Sequence, residues 1–166
     1  MHGSIRFVTV EIAGEICSVI RESISKCCVA DHRGIPSVIE SWLANKTPAN
    51  IASWIAESDA IALGAFREGK LIGFTLVTGA TLSLCYVIPD VLNQGVGKAL
   101  LREAEIQAFK RGILSLRLES TRTAEAFYQR NGYESFGAPQ SWAGLQCQPM
   151  RKRLWANHAM EDDCYL

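Results

Sequence analysis

From Leu71 to Ile88 the chain carries no charged residue, and this run constrains the fold more than any other feature. It is long enough to cross a bilayer as a helix. Gly73, Thr75, Thr78, Gly79, Thr81 and Ser83 make it too polar for that role. Gly79-Ala80 also divides it into two β-rich halves. Two buried strands joined by a tight turn are expected instead, over Leu71 to Val77 and Leu82 to Val87. Pro89 ends the second, because proline has no amide to give to a ladder. Ile61, Leu63, Ala65 and Phe66 predict a preceding strand, with Glu68-Gly69 as the hairpin turn between them.

Helices are predicted on both sides of this meander. After a short strand at Ile5 to Val8, Ile12, Ile16, Val19, Ile20 and Ile24 recur at helical spacing. Thr9 is placed to cap that helix. The pattern breaks around Asp31 to Pro36 and resumes with Val38, Ile39, Trp42 and Leu43. Asn45-Lys46-Thr47-Pro48 interrupts it before a last helical stretch to Glu57. Beyond the meander come a helix ending at Gly112, an alternating strand through Leu114, Leu116 and Leu118, and a short helix from Thr123 to Arg130. Two weaker strands follow, at Tyr133 to Phe136 and Leu145 to Leu154. This is a mixed α/β chain. Its 166 residues suit a single domain, expected over 1–154, with 155–166 as a loosely held tail.

Lys+Arg and Asp+Glu both number 17, which speaks against a dedicated nucleic-acid binder. The six cysteines form no C-x-x-C pair and the three histidines are far apart, so no metal site is expected. The first ten residues lack an apolar signal core, and the thiols are read as reduced, in a cytoplasmic protein with no membrane role. The oligomeric state stays open, a homodimer included.

The sharpest local motif is Leu92-Asn93-Gln94-Gly95-Val96-Gly97-Lys98-Ala99, between a strand and a helix. A helix N-terminus offers unbonded amides and partial positive charge, and glycines let an anion approach the backbone. A Walker loop is excluded, because Leu92 stands where its first glycine belongs and Ala99 where its hydroxyl belongs. A dinucleotide fingerprint lacks its third glycine, Leu100 holding that place, and arrives some ninety residues late.

The loop instead resembles the R/Q-x-x-G-x-G/A coenzyme A loop of the Gcn5-related N-acetyltransferase (GNAT) family, with Leu92 replacing the usual Arg or Gln. Farther on, Ala124, Phe127, Tyr128, Gly132 and Tyr133 resemble the family's A-x-x-F-Y-x-x-x-G-F/Y motif. Pro149 to Leu154 resembles its closing strand. The likeness is firm from Ala60 to Leu154, and before that holds only in element order.

This resemblance implies a mostly antiparallel sheet flanked by helices, splayed at the cofactor strand. It implies transfer of an acetyl group from acetyl-CoA to a primary amine of a small-molecule or protein acceptor. Tyr86, Val87, Asn93, Gln94, Gly95, Val96, Gly97, Lys98 and Ala99 are the candidate coenzyme contacts, with the Val87 amide polarising the thioester carbonyl. Arg102 and Arg130 are further candidates for the phosphates. Tyr128 is the candidate general acid and Glu119 the candidate base, while Phe127 is expected in the core. Asp31 and His32 fall in the region that covers the acceptor side, and Trp42 and Trp54 could wall its pocket. The rival reading is a non-catalytic acyl-CoA-binding sensor or partner module, towards which Leu92 leans.

Overall fold

The computed structural model describes residues 3–155. The expected loose tail lies, after Trp155, outside the described residues. The chain begins with β1 (Ser4–Phe7), a 3-10 turn and α1 (Ala13–Cys27). Ile16, Ile20 and Ile24 fall on one face of α1, and all three are fully buried. Burying such side chains contributes roughly 1.5–3 kcal/mol each. The Thr9 hydroxyl donates to the Glu11 carboxylate instead of capping a backbone amide.

Next come α2 (Val29–His32), α3 (Pro36–Leu43) and α4 (Pro48–Ile55). The predicted break at 45–48 is real. Thr47 caps α4 by accepting from the Asn50 amide at 3.2 Å, and Pro48 occupies the first turn, where its missing amide is no loss.

The uncharged run forms two strands as expected. The meander is β2 (Ile61–Arg67), β3 (Lys70–Thr78) and β4 (Thr81–Val87). Leu71 to Val77 is buried throughout, because α1 and α5 (Val96–Lys110) both pack against β3. Gly73 permits the close approach of α5: a Cβ there would lie 2.8 Å from Leu100 Cδ1 and 3.2 Å from the Tyr86 carbonyl oxygen. After α5 come β5 (Ser115–Thr121), α6 (Arg122–Arg130), β6 (Glu134–Ser135), β7 (Gln140–Trp142) and β8 (Leu145–Arg153). The β7–β8 hairpin escaped the sequence reading; its turn places Ala143 and Gly144 at φ of 50° and 77°.

Among the described residues the strands make one sheet in the order β1-β2-β3-β4-β5-β8-β6, with β7 on β8. Every pairing is antiparallel except β4–β5, which α5 connects as a crossover. That parallel pair has a single register point, Thr81 opposite Arg117, with the Arg117 amide donating to the Ala80 carbonyl at 2.9 Å. Beyond it the two strands diverge, so the centre of the sheet is open. The expected mixed, mostly antiparallel sheet, flanked by helices and splayed at this strand, is the fold observed. No helix among the described residues is long and apolar enough to cross a membrane.

Candidate active site

The divergence of β4 and β5 leaves an edge on each strand, and two spaces open from it. The first, a cleft of about 670 Å³, runs from the start of α5 along β4 to α6. The second, a cavity of about 880 Å³, lies under α3, α4 and the β7–β8 hairpin. They share Ser83, Leu84 and Tyr86 of β4 and Leu118, Glu119 and Thr121 of β5, so the two spaces meet in the gap.

The first cleft ends at the N-terminus of α5. Gly95 caps the helix at φ 82°, a left-handed conformation that glycine adopts without strain. The Ala99 amide bonds to the Gly95 carbonyl at 3.0 Å. The preceding amides, of Val96, Gly97 and Lys98, donate to no backbone carbonyl among the described residues. No acidic side chain occupies the first turn to cancel the dipole. The Gln94 side chain braces the loop by donating to the Asp90 carbonyl at 2.8 Å and accepting from Arg67 at 3.1 Å.

Asn93, Gly95, Gly97 and Lys98 line the cleft, as do Tyr86 and Val87, whereas Gln94, Val96 and Ala99 do not. Arg130 and Leu92 also reach it; Arg102 does not. Ile88 donates its amide to the Ile72 carbonyl at 3.0 Å. In an antiparallel ladder the next residue's groups point the other way, so the Val87 amide faces the gap.

The other wall is α6. Tyr128 is only 7% exposed and lines the cleft. Its ring makes edge-to-face contacts with Phe127 and Tyr133, at centroid distances of 5.2 Å and 5.6 Å. Burial pushes its phenol well above the ordinary tyrosine range, and Cys85 and Tyr86 add to that. Its hydroxyl has no hydrogen-bond partner among the described residues. Phe127, expected in the core, also lines the cleft and would lie 3.6 Å from a Cβ on Gly97. Three thiols lie along the same cleft, two with strongly raised pKa. Burial raises Cys28 to about 12 and Cys85 to about 11, so both stay protonated at neutral pH.

Asp31 and His32 sit together in α2, but neither lines either space. His32 is 2% exposed; its Nε2 lies 3.0 Å from the Ile24 carbonyl, and its Nδ1 accepts from the Gly34 amide at 3.0 Å. Asp31 accepts from the Thr123 amide at 3.2 Å and from the Thr123 hydroxyl, and so caps the first turn of α6. Its place in the structure is at the start of α6 rather than in the lining of the second cavity.

Sequence reasoning placed Trp42 and Trp54 as optional pocket walls, and both line the second cavity. It missed Lys46, Glu57, Arg117 and Trp142, which line it as well. Lys46 was passed over as part of a helix break. Trp142 was lost with its hairpin, although the Ala143-Gly144 turn was there to be read.

Comparison with known proteins agrees with this geometry. The profile of the acetyltransferase (GNAT) domain matches residues 25–154. A spermidine N(1)-acetyltransferase of Thermoplasma acidophilum is 33% identical over 148 residues, spanning 81% of this chain and 89% of the relative. The crystal structure of the PaiA N-acetyltransferase from the same organism, in complex with coenzyme A, aligns with a TM-score of 0.77 at 29% identity. That alignment covers 92% of this chain and 99% of the other. A Gcn5-related N-acetyltransferase from Rhodopseudomonas palustris aligns at 0.82 and 26% identity, over 93% and 97% of the two chains. With two motifs in order, a sheet splayed at its one parallel pair and a profile match over most of its length, this chain belongs to the GNAT family of acetyltransferases and is an N-acetyltransferase.

Proposed function

We propose that the first cleft holds acetyl-CoA, the second cavity holds a primary amine, and the acetyl group passes between them in the gap. The observation that carries this is a convergence. Gly97 and Lys98 with their unbonded amides, Val87, and Tyr128 with its unpartnered hydroxyl all line one opening. The α5 amides with Lys98 and Arg130 suit the coenzyme's phosphates. The β4 edge suits its extended amide-bearing arm.

In this mechanism the amine nitrogen attacks the thioester carbonyl carbon. A C–N bond forms and the C–S bond breaks. The Val87 amide donates to the carbonyl oxygen as negative charge grows there. Tyr128, protonated at neutral pH, gives its proton to the departing thiolate. Glu119 lies where the two spaces meet and takes the proton that the amine loses, directly or through water. No thiol nucleophile is needed.

The test has two stages. Calorimetric titration with acetyl-CoA and with CoA is expected to show micromolar binding. Release of CoA thiol should then depend on an added amine. Absence of binding sinks the whole reading. Binding without turnover over a broad amine panel leaves a non-catalytic acyl-CoA module.

A further inference from the structure

The second cavity contains a charge that the transfer chemistry does not use. Lys46 is 4% exposed and lines the cavity. Its backbone is clamped: its amide donates to the Leu43 carbonyl at 2.9 Å. Its carbonyl accepts from Arg21 at 3.0 Å and from the Cys17 thiol at 3.1 Å. The ammonium lies near the Trp142 and Trp54 rings, at 5.2 Å and 6.0 Å from their centroids. It donates one hydrogen bond, to the Asn45 side chain at 2.6 Å. An ammonium has three donors. Two therefore have no oxygen acceptor among the described residues, and no carboxylate pairs with it there.

Burial lowers the Lys46 pKa to about 8, with no opposing acidic neighbour. A buried cation without a counter-charge is unfavourable. A ligand carboxylate would supply what the protein lacks. Position adds to the argument. Glu119 borders both spaces and so faces the reacting amine, whereas Lys46 borders only the acceptor cavity. Glu57 also lines the cavity but is exposed, so its field is screened.

We propose that Lys46 sets the acceptor class: a primary amine bearing a carboxylate at its far end is taken in preference to a diamine or polyamine. This rests on the acetyl-transfer reading and departs from the polyamine for which the Thermoplasma relative is named. A second ammonium at that end would meet Lys46 across the tryptophan rings. A carboxylate there would gain a charge-assisted bond to a buried ammonium.

The experiment compares 6-aminohexanoate with 1,5-diaminopentane, which share the same pentamethylene spacer and differ in terminal charge, with spermidine alongside. Each is titrated calorimetrically into the CoA-saturated protein, and kcat/KM is measured with acetyl-CoA. The amino acid is expected to bind and react roughly tenfold better than either polyamine, a gap of one charge-assisted contact. Lys46→Met should erase the preference and Lys46→Glu should reverse it, with circular dichroism confirming the fold. Equal or better binding of the diamine to the wild-type protein overturns the proposal. So does a preference that survives in Lys46→Met, or no binding of any of the three. Calorimetric preference without turnover upholds Lys46 selection while removing the transfer reading. Turnover without preference does the opposite.

Discussion

On the proposed reading, the coenzyme cleft and the acceptor cavity meet at Tyr86 and Glu119 yet are built by different means. The coenzyme side takes one wall from a continuous stretch, Tyr86 to Lys98, where much of what it offers is backbone, and α6 supplies the other. Its shape follows from local rules: a strand ended by proline, a left-handed glycine and a helix start. The acceptor side draws side chains from α3 and α4, from β3 to β5, and from the β7–β8 hairpin. No single stretch of sequence defines it. A backbone site tolerates change in its side chains, as Leu92 illustrates. A side-chain site changes its ligand with each substitution.

The sharpest break between the two sides is expected at Tyr128. Tyr128→Phe keeps the ring contacts with Phe127 and Tyr133 and removes only the hydroxyl. Turnover should fall roughly 100-fold while the CoA dissociation constant moves less than about threefold. Steady-state kinetics and calorimetry on the same preparation decide this. A matching loss in affinity would make the phenol a binding group instead of an acid.

Lys46 gives the next largest effect, and its sign is unusual. The folded-state pKa is depressed, from 10.5 to about 8. Between those values the unfolded chain holds more protons than the folded one, so stability rises with pH across that window. Below pH 8 the lysine is charged in both states and burdens the fold. Lys46→Met, similar in volume, should therefore stabilise the protein at pH 7. The gain is about 2 kcal/mol after allowing for solvent and ring screening. The mutant should also lose the rise in stability above pH 8. Denaturant melts at pH 7, 8.5 and 10 measure both. No gain at pH 7 would mean that the tryptophan rings and Asn45 already compensate the charge.

These two residues mark the limit of what the sequence discloses. Tyr128 was singled out because Ala124 to Tyr133 carries, in one short local stretch, the spacing of the family motif it resembles. Lys46 was not. A lysine between two helix fragments is by default solvated, and only the hairpin that brings Trp142 over it makes it interior. The meander and the α5 loop were legible for the same local reason. Asp31 shows the converse case. Its neighbour His32 suggested chemistry, but tertiary contact gives the carboxylate to Thr123, 92 residues away. Sequence distance hides such a partner. Asp31→Ala should cost about 1–2 kcal/mol, the ordinary value of a lost helix cap. It should lower kcat several-fold by loosening α6, with the acceptor KM little changed. Thermal melts and kinetics check this, and a large rise in acceptor KM would return Asp31 to the acceptor side.

The smallest effect tests the backbone character of the coenzyme side most directly. Leu92 is 43% exposed and lines the cleft, where the related loops carry Arg or Gln. If the α5 amides do most of the work, Leu92→Arg adds one partly screened charge contact to an already adequate cradle. CoA affinity should then tighten about three- to fivefold at low salt, and the gain should fade as ionic strength rises. Pantetheine, which lacks the phosphates, should bind both proteins alike. A gain far above tenfold would mean that the cradle was crippled by leucine, and the contrast between a tolerant backbone site and an exacting side-chain site would narrow. A loss of affinity would mean that Leu92 packs on the ligand itself, which makes even this loop a place where side chains choose.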